Sequence, residues 1–480
     1  MSKKLYDKNF NILVLGQIIS LFGSSIQRFA LSLYLLDLTG SASVFATILA
    51  ISMIPVVLIS PIAGMLADRG DKKKLMVLLD VLSAVLLMAY AGVVFNSNDH
   101  VFIIATVMVL LSTISTIYQP VVSTCIPVIV ADENLVRANA IIQQVSSLSN
   151  FLGPIFAGML YGFFGITGVV VLNMVSFLFS AILELFLDIP HEKKEGKEAF
   201  ASAFVSDMKE SYTYLRYKNP IVFRMLLFSG FYNLFLVPVF SVAAPYLIKV
   251  TFGLSAEVYG LAEGMIALGM ILGGLIITWK PAKFHIKRVH RLLYLTSISM
   301  AMMGVSVFLF QGGRSSALVS VALFTVFGMV IMGVLGIANV LSATYLYKAT
   351  ESSMLGKILA FGSAFATLCI PLGQILFGGL IEVLTGHIYW LIYIAAILVF
   401  GVTLLVRWNV LLIKEDNKDI WELIRLVKEL IGADNEKEYL IKKDIEKVNE
   451  EIFKIKEHEI KAKEINNKLQ LKEKVQEELN

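Results

Sequence analysis

Long apolar runs dominate the chain, each cut by a short polar stretch. A membrane-spanning helix needs about 20 mostly apolar residues. Twelve runs meet that length: 10–36, 44–66, 75–95, 101–118, 138–162 and 165–188, then 221–248, 258–279, 292–310, 317–341, 355–383 and 388–413. The pattern predicts an all-α polytopic membrane protein with twelve transmembrane helices. A polar interval separates the sixth run from the seventh. It divides the chain into an N-terminal six-helix half (1–190), a linker (191–220), a C-terminal six-helix half (221–413) and a charged tail (414–480).

The short polar stretches alternate in charge. One set holds Lys3, Lys4, Lys8, Arg69, Lys72, Lys73, Lys74, Arg137, Lys193, Lys194, Lys197, Lys280, Lys283, Lys287, Arg288, Arg291, Lys348 and Lys357. The other is nearly bare, with Asp37, the NSND run at 96–99, Lys249 and Arg314. Basic loops stay on the cytoplasmic side. Both termini are therefore expected inside the cell, with the protein in the plasma membrane. The alternation also checks the helix count, because a missed helix would scramble it.

Composition sharpens this picture. Of 480 residues, 57% are hydrophobic and 16% charged, against about 25% charged in soluble domains. The net charge of +4 hides two regions. From Lys414 onward the tail has fifteen Lys and Arg against eighteen Asp and Glu; the rest of the chain is basic. That basic excess sets orientation and gives no footprint for nucleic acid. Cys125 and Cys369 lie far apart in apolar surroundings, which argues against a disulfide or a metal site. No phosphate-binding loop is present, so ATP hydrolysis and cofactor chemistry are not expected. The apolar run behind the N-terminus is too long for a signal peptide and is expected as a retained first helix.

Two segments look like copies. NFLGPIFAGMLYGFFG at 150–165 and CIPLGQILFGGLIEVLTG at 369–386 place Gly153 against Gly373 and Gly158 against Gly378 at an offset of 220. Arg137 and Lys357 share that offset. Parallel six-helix repeats fit this spacing, while small residues also serve close helix packing by themselves. Within the linker, 204–217 alternates apolar and charged residues at helical spacing, as a cytoplasmic amphipathic helix would. In the tail, Ile441, Ile445, Val448, Ile452 and Ile455 make a short heptad seam. Solvated helix, self-association and docking of a protein partner all remain open for it.

The loop GMLADRGDKKKL at 64–75 resembles the loop between the second and third helices of the major facilitator superfamily. Gly64, Leu66, Ala67, Asp68 and Arg69 match that pattern, and Lys72 and Lys73 stand at its two bases. Asp71 stands where the family has its second glycine. The stretches at 16–42 and 126–154 are similar to the macrolide-efflux branch of bacterial exporters. The resemblance implies a secondary active transporter working by alternating access, with no enzymatic activity. It also implies that Asp68 meets the cytoplasmic start of the eleventh helix. Gly64, Asp68, Arg69, Lys72, Lys73 and Arg137 are then elements of a cytoplasmic gate. Gly153, Pro154 and Gly158 partly match the fifth-helix signature of the family's exporters; with Gly373 and Gly378 they also serve packing.

Intramembrane charges are costly and face a bundle interior or a water-filled cavity. Arg28 lies about 12 Å below the outer surface, counting 1.5 Å per residue from Leu36. Gln17, Ser20, Ser24, Gln27 and Arg28 share one helix face, as a cavity wall would, although Arg28 could also snorkel outward. Asn233 is a further cavity candidate. Glu263 sits near the outer end of the eighth segment, in YGLAEGMIALGMILGG. A carboxyl that exchanges a proton as the protein switches states is what proton coupling requires; a static ion pair is the alternative. Asp80 and Glu184, close to cytoplasmic helix ends, are expected to reach water or a loop base. Phe22, Phe29, Tyr34, Phe231, Tyr232 and Phe235 would give an aromatic cavity suited to amphipathic substrates.

The expected function is proton-coupled efflux of hydrophobic or amphipathic small molecules, macrolide-like drugs among them. Metabolite uptake, export of a lipid or siderophore, and a sensor or scaffold acting through the tail are the alternatives.

Overall fold

The computed structural model describes residues 8–95, 100–189, 200–280 and 283–413. The linker's HEKKEGKE run at 191–198 and the whole tail, with its heptad seam, lie outside the described residues. The described residues contain helices and no strand. They form α1 (Lys8–Thr39), α2 (Ala42–Arg69), α3 (Lys72–Phe95), α4 (Val101–Ile129), α5 (Leu135–Leu185) and α6 (Phe200–Thr213). Then come α7 (Pro220–Phe235), α8 (Ala256–Trp279), α9 (Val289–Gln311), α10 (Ala317–Ala349), α11 (Ser352–Val383) and α12 (Tyr389–Leu411). Eleven helical segments among the described residues are long and apolar enough to cross a membrane.

One of these eleven is α5, whose 51 residues would extend about 76 Å if straight. It is not straight. Gly165 has φ 63° and ψ −171° inside it, a conformation that glycine reaches without a Cβ clash. The arms on either side run in opposite directions along α1. In arm 135–164, Gly153 approaches Ser25 and Tyr161 donates to Asp37, so the register rises with α1. In arm 166–185, Gly16 approaches Ser180 while Gln27 accepts from Asn173, so the register falls. The reading of twelve segments counts these arms separately.

The span that starts with α7 continues to Thr251. Pro238 and Pro245 lack the amide that an α-helix needs. π-helical turns at Val239–Ala243 and Leu247–Thr251 carry the chain past them.

Small residues set the packing between the halves. α5 packs on α8 and α11 on α2. A Cβ on Gly158 would stand 2.6 Å from the Ala256 carbonyl oxygen and 3.2 Å from the Gly260 Cα. A Cβ on Gly378 would stand 2.9 Å from the Ala42 carbonyl oxygen and 2.4 Å from the Ala46 Cβ. Within the halves, Gly153 faces Ser25 of α1, and Gly373 faces the Leu234 carbonyl of α7. Each glycine pair at the 220 offset thus has one partner helix in its own half or one in the other. Backbones can approach this closely only where side chains are absent, and this is how helices associate without a hydrophobic drive from lipid.

The outer surface is apolar. Leu58, Leu78, Ile276, Val383 and Ile397 are exposed, far more than a water-facing surface carries in one band. Trp279 and Trp408 stand at one end of the bundle and Trp390 at the other, as in interfacial aromatic belts. Lys280 lies over the Trp279 ring and Arg224 over the Trp408 ring. These features agree with a bilayer around the bundle.

Candidate functional site

A cavity of about 1650 Å³ lies between the halves. The basic loops 70–71 and 280–288 mark one end of the bundle, called here the basic end. Near it the cavity is walled by Ser60, Ala140, Thr278 and Val340; at its deep end stand Phe29, Phe45, Pro245 and Tyr259. Serines and glutamines from the N-terminal half face Met270, Ile271, Leu275 and Met332 from the other half. Arg28, Asp80 and Glu263 are the charged residue types among the lining.

Arg28 is exposed to the cavity although it lies deep in the bundle. Its guanidinium forms no ion pair or hydrogen bond with a described residue. Glu263 borders the same cavity, and its buried Oε2 has no hydrogen-bond partner. The two do not pair with each other. Next to them, Phe29 of α1 stacks on Tyr259 of α8, with ring centroids 4.8 Å apart and planes 13° apart. A lone cation and a lone carboxyl, beside an aromatic floor, make a chamber that can take a ligand with an apolar body and an ionisable group.

Not every expected cavity residue is there. Ser24 lines the chamber, and Gln27 borders it while holding Asn173 at 2.8 Å. Gln17 does not line it. It is buried, and its Nε2 donates to the Tyr118 hydroxyl at 3.0 Å. One helical face covers about 100°, so a stripe that starts at Gln17 drifts behind the wall before it reaches Arg28. Asn233 instead donates to the Ala366 carbonyl at 3.0 Å and ties α7 to α11. Tyr232 likewise turns away, to Thr403 at 2.6 Å. Phe29 lines the cavity, but the α7 aromatics do not; Phe45, Tyr118, Phe177 and Tyr259 replace them.

Asp80 and Glu184 overturn a second expectation. Neither meets a loop base, and both are almost wholly buried, 2% and 1% exposed, Asp80 at the edge of the chamber wall. Tyr118 donates to Glu184 Oε1 at 2.6 Å, Ser180 donates to the Gly16 carbonyl at 3.4 Å, and Ser20 and Ser180 stand beside Asp80. Position along the helix suggested an exposed end; packing of α1, α3, α4 and the second arm of α5 around one point decided otherwise.

The two ends of the chamber differ. At the base-poor end, polar contacts join the halves. Lys249 pairs with Asp37 at 3.1 Å, and Tyr161 donates to the same carboxylate at 2.8 Å. Glu382 of α11 accepts from the Ser41 hydroxyl, and from the Ser43 amide at 3.1 Å. It thereby caps the start of α2, where a carboxylate suits the exposed amides and the helix dipole. None of Asp37, Tyr161, Lys249 and Glu382 was singled out as functional from the sequence. The signal was there: they are isolated polar groups in a set of loops otherwise short of charge.

At the basic end, Gly64 and Gly356 have nothing within 4 Å of a hypothetical Cβ. Asp68, Arg69 and Arg137 are exposed and Lys72 and Lys73 half-buried; none forms an ion pair with a described residue. Asp71, standing in place of a glycine, accepts from the Lys74 amide at 3.1 Å and so caps α3. The start of α11 is held elsewhere: Lys357 reaches Asp207 and Glu210 of α6, both at 2.7 Å. Among the described residues, no group of three or more His, Cys, Asp or Glu is placed to hold a metal ion.

Comparison with known proteins places this architecture. The profile of the Major Facilitator Superfamily matches residues 13–356. The chain is 24% identical to Macrolide efflux protein A of Streptococcus pyogenes over 366 residues, 75% of this chain and 86% of that protein. It is 23% identical to Macrolide efflux protein A of Enterococcus faecalis over 339 residues, 70% of this chain and 99% of that protein. In fold it is similar to a bacterial homologue of the iron transporter ferroportin in an inward-facing state. That match has a TM-score of 0.65 at 17% identity and covers 84% of this chain and 98% of the other.

Proposed function

Because the chain belongs to the Major Facilitator Superfamily, we propose that this transporter exports hydrophobic or amphipathic small molecules, macrolide-like compounds among them, in exchange for protons. The observation that carries the reading is the chamber: a large, mostly apolar space between the halves, with unpaired Arg28 and Glu263 on its wall. The similarity to macrolide efflux proteins supports the substrate class and the direction. The basic loops support a reading with that end of the bundle, and both termini, on the cytoplasmic side of a bacterial plasma membrane. The state described is then open inward and latched outward.

In this cycle substrate enters from the cytoplasm or the inner leaflet and settles against Phe29 and Tyr259. Glu263 takes a proton from the outer side when the base-poor end opens and gives it up inward. The halves rock about the chamber. Gly64, Asp68, Arg69, Lys72, Lys73 and Arg137 act when the basic end closes, Asp68 approaching the start of α11. Residues 1–190 and 221–413 move as the two halves, joined by the linker 191–220.

The test is proton movement in proteoliposomes with an imposed pH gradient and a panel of amphipathic drugs, comparing the parent protein with Glu263→Gln. Drug-driven dissipation that the variant loses is the expected result. Equal responses would remove Glu263 from the coupling step and keep antiport. No response to any drug would sink the export reading.

A further inference from the structure

The pocket of polar groups around Asp80 and Glu184 lies outside the transport chamber's use of Arg28 and Glu263. It draws on four helical segments: Gln17 and Ser20 from α1, Asp80 from α3, Tyr118 from α4, and Ser180 and Glu184 from the second arm of α5. Gln17, Asp80 and Glu184 are each at least 98% buried. The donors are already spent. Gln17 Nε2 goes to Tyr118, the Tyr118 hydroxyl to Glu184 Oε1 and the Ser180 hydroxyl to the Gly16 carbonyl, with Ser20 beside Asp80.

Three buried oxygens are left over: Gln17 Oε1, Asp80 Oδ2 and Glu184 Oε2 have no hydrogen-bond partner. Gln17 is no acid, so its orphaned carbonyl is an observation separate from the acidic pair. Removing a buried acceptor from water without a donor costs about 1–3 kcal/mol, and two unpaired buried carboxylates cost far more. Among the described residues, no lysine, arginine or histidine pairs with either acid from any of the four segments. Lys72, on α3, and Glu184 both act electrostatically on the Cys125 thiol, yet Lys72 forms no ion pair with either acid.

We propose that this cluster binds a monovalent cation, a proton or an alkali ion such as sodium, through the three free oxygens. An all-oxygen set suits a hard cation. With only two carboxyls the cluster fits a single positive charge better than a divalent metal, in line with the lack of any larger acidic group. Access is short: Ser20, Asp80 and Tyr118 also line the chamber, so an ion arriving there from the basic end reaches the cluster directly. Because the second arm of α5 supplies Glu184, the loaded state fixes α1, α3 and α4 against that arm.

Binding is read without transport, so this inference and the export reading fail separately. The full chain in detergent is melted at constant ionic strength, first with sodium replacing choline at fixed pH, then across pH 5–9 without sodium. The double variant Asp80→Asn/Glu184→Gln is compared. A sodium-dependent rise in Tm of roughly 2–5 °C, lost in the variant, identifies sodium. A rise toward low pH that the variant loses, with no sodium effect, identifies the proton. Identical profiles for parent and variant overturn the site. Should the double variant not fold, Gln17→Leu keeps both acids and removes one oxygen. Infrared spectra of the parent protein then follow the carboxyl bands on addition of sodium or acid. Carboxyl bands unmoved by either overturn the site as well.

Discussion

The two ends of the bundle are built from the same kinds of residues and do opposite things. At the base-poor end, glycines bring α5 onto α8 and α11 onto α2, and carboxylates of one half meet partners on the other. At the basic end the charges of 64–75 are present, yet Gly64 and Gly356 have open space and Asp68 forms no ion pair with a described residue. Charge alone therefore does not close an end. Closure needs backbones that can approach, followed by a polar latch that fixes the approach.

The largest expected effect comes from breaking the approach. In Gly158→Val the new side chain meets the Ala256 carbonyl and the Gly260 backbone, neither of which can swing away. Overpacking of this kind costs about 1–3 kcal/mol, which shifts the balance toward opening of the base-poor end by about five- to 150-fold. Spin-label distances across that end should lengthen, and transport should fall by a similar factor.

Breaking the latch should do less. Lys249→Ala removes the ion pair with Asp37. A partly exposed pair is worth up to about 1 kcal/mol, so the same distances should shift toward the open population by up to about fivefold. Glu382→Gln keeps the shape and one acceptor but loses the charge at the start of α2; its effect should be no larger, about fivefold at most given a dipole contribution of about 0.3–1 kcal/mol.

The smallest effect sharpens the comparison most. Gly64→Ala places a methyl where nothing lies within 4 Å. Thermal stability and the spin-label distances of the state described should not change. Transport should nevertheless drop if the basic end closes on Gly64 during the cycle. An unchanged transport rate would show that closure at the basic end leaves Gly64 uncovered.

The sequence by itself determined the class of protein, the spans and the loop asymmetry. These depend on run length and loop charge, which are local quantities set by the cost of placing polar backbone and charge in hydrocarbon. It also pointed to Arg28 and Glu263, because an isolated charge in an apolar run stands out without any structure. The tertiary structure decided the rest. Whether Gln17 faces the chamber, whether Asp80 and Glu184 meet, and which carboxylates latch the halves all depend on contacts between residues 66 to 341 apart in sequence. A polar residue reads the same along the chain on a chamber wall or behind it. The partner helix, brought close by a glycine and turned by Gly165, gives it its role.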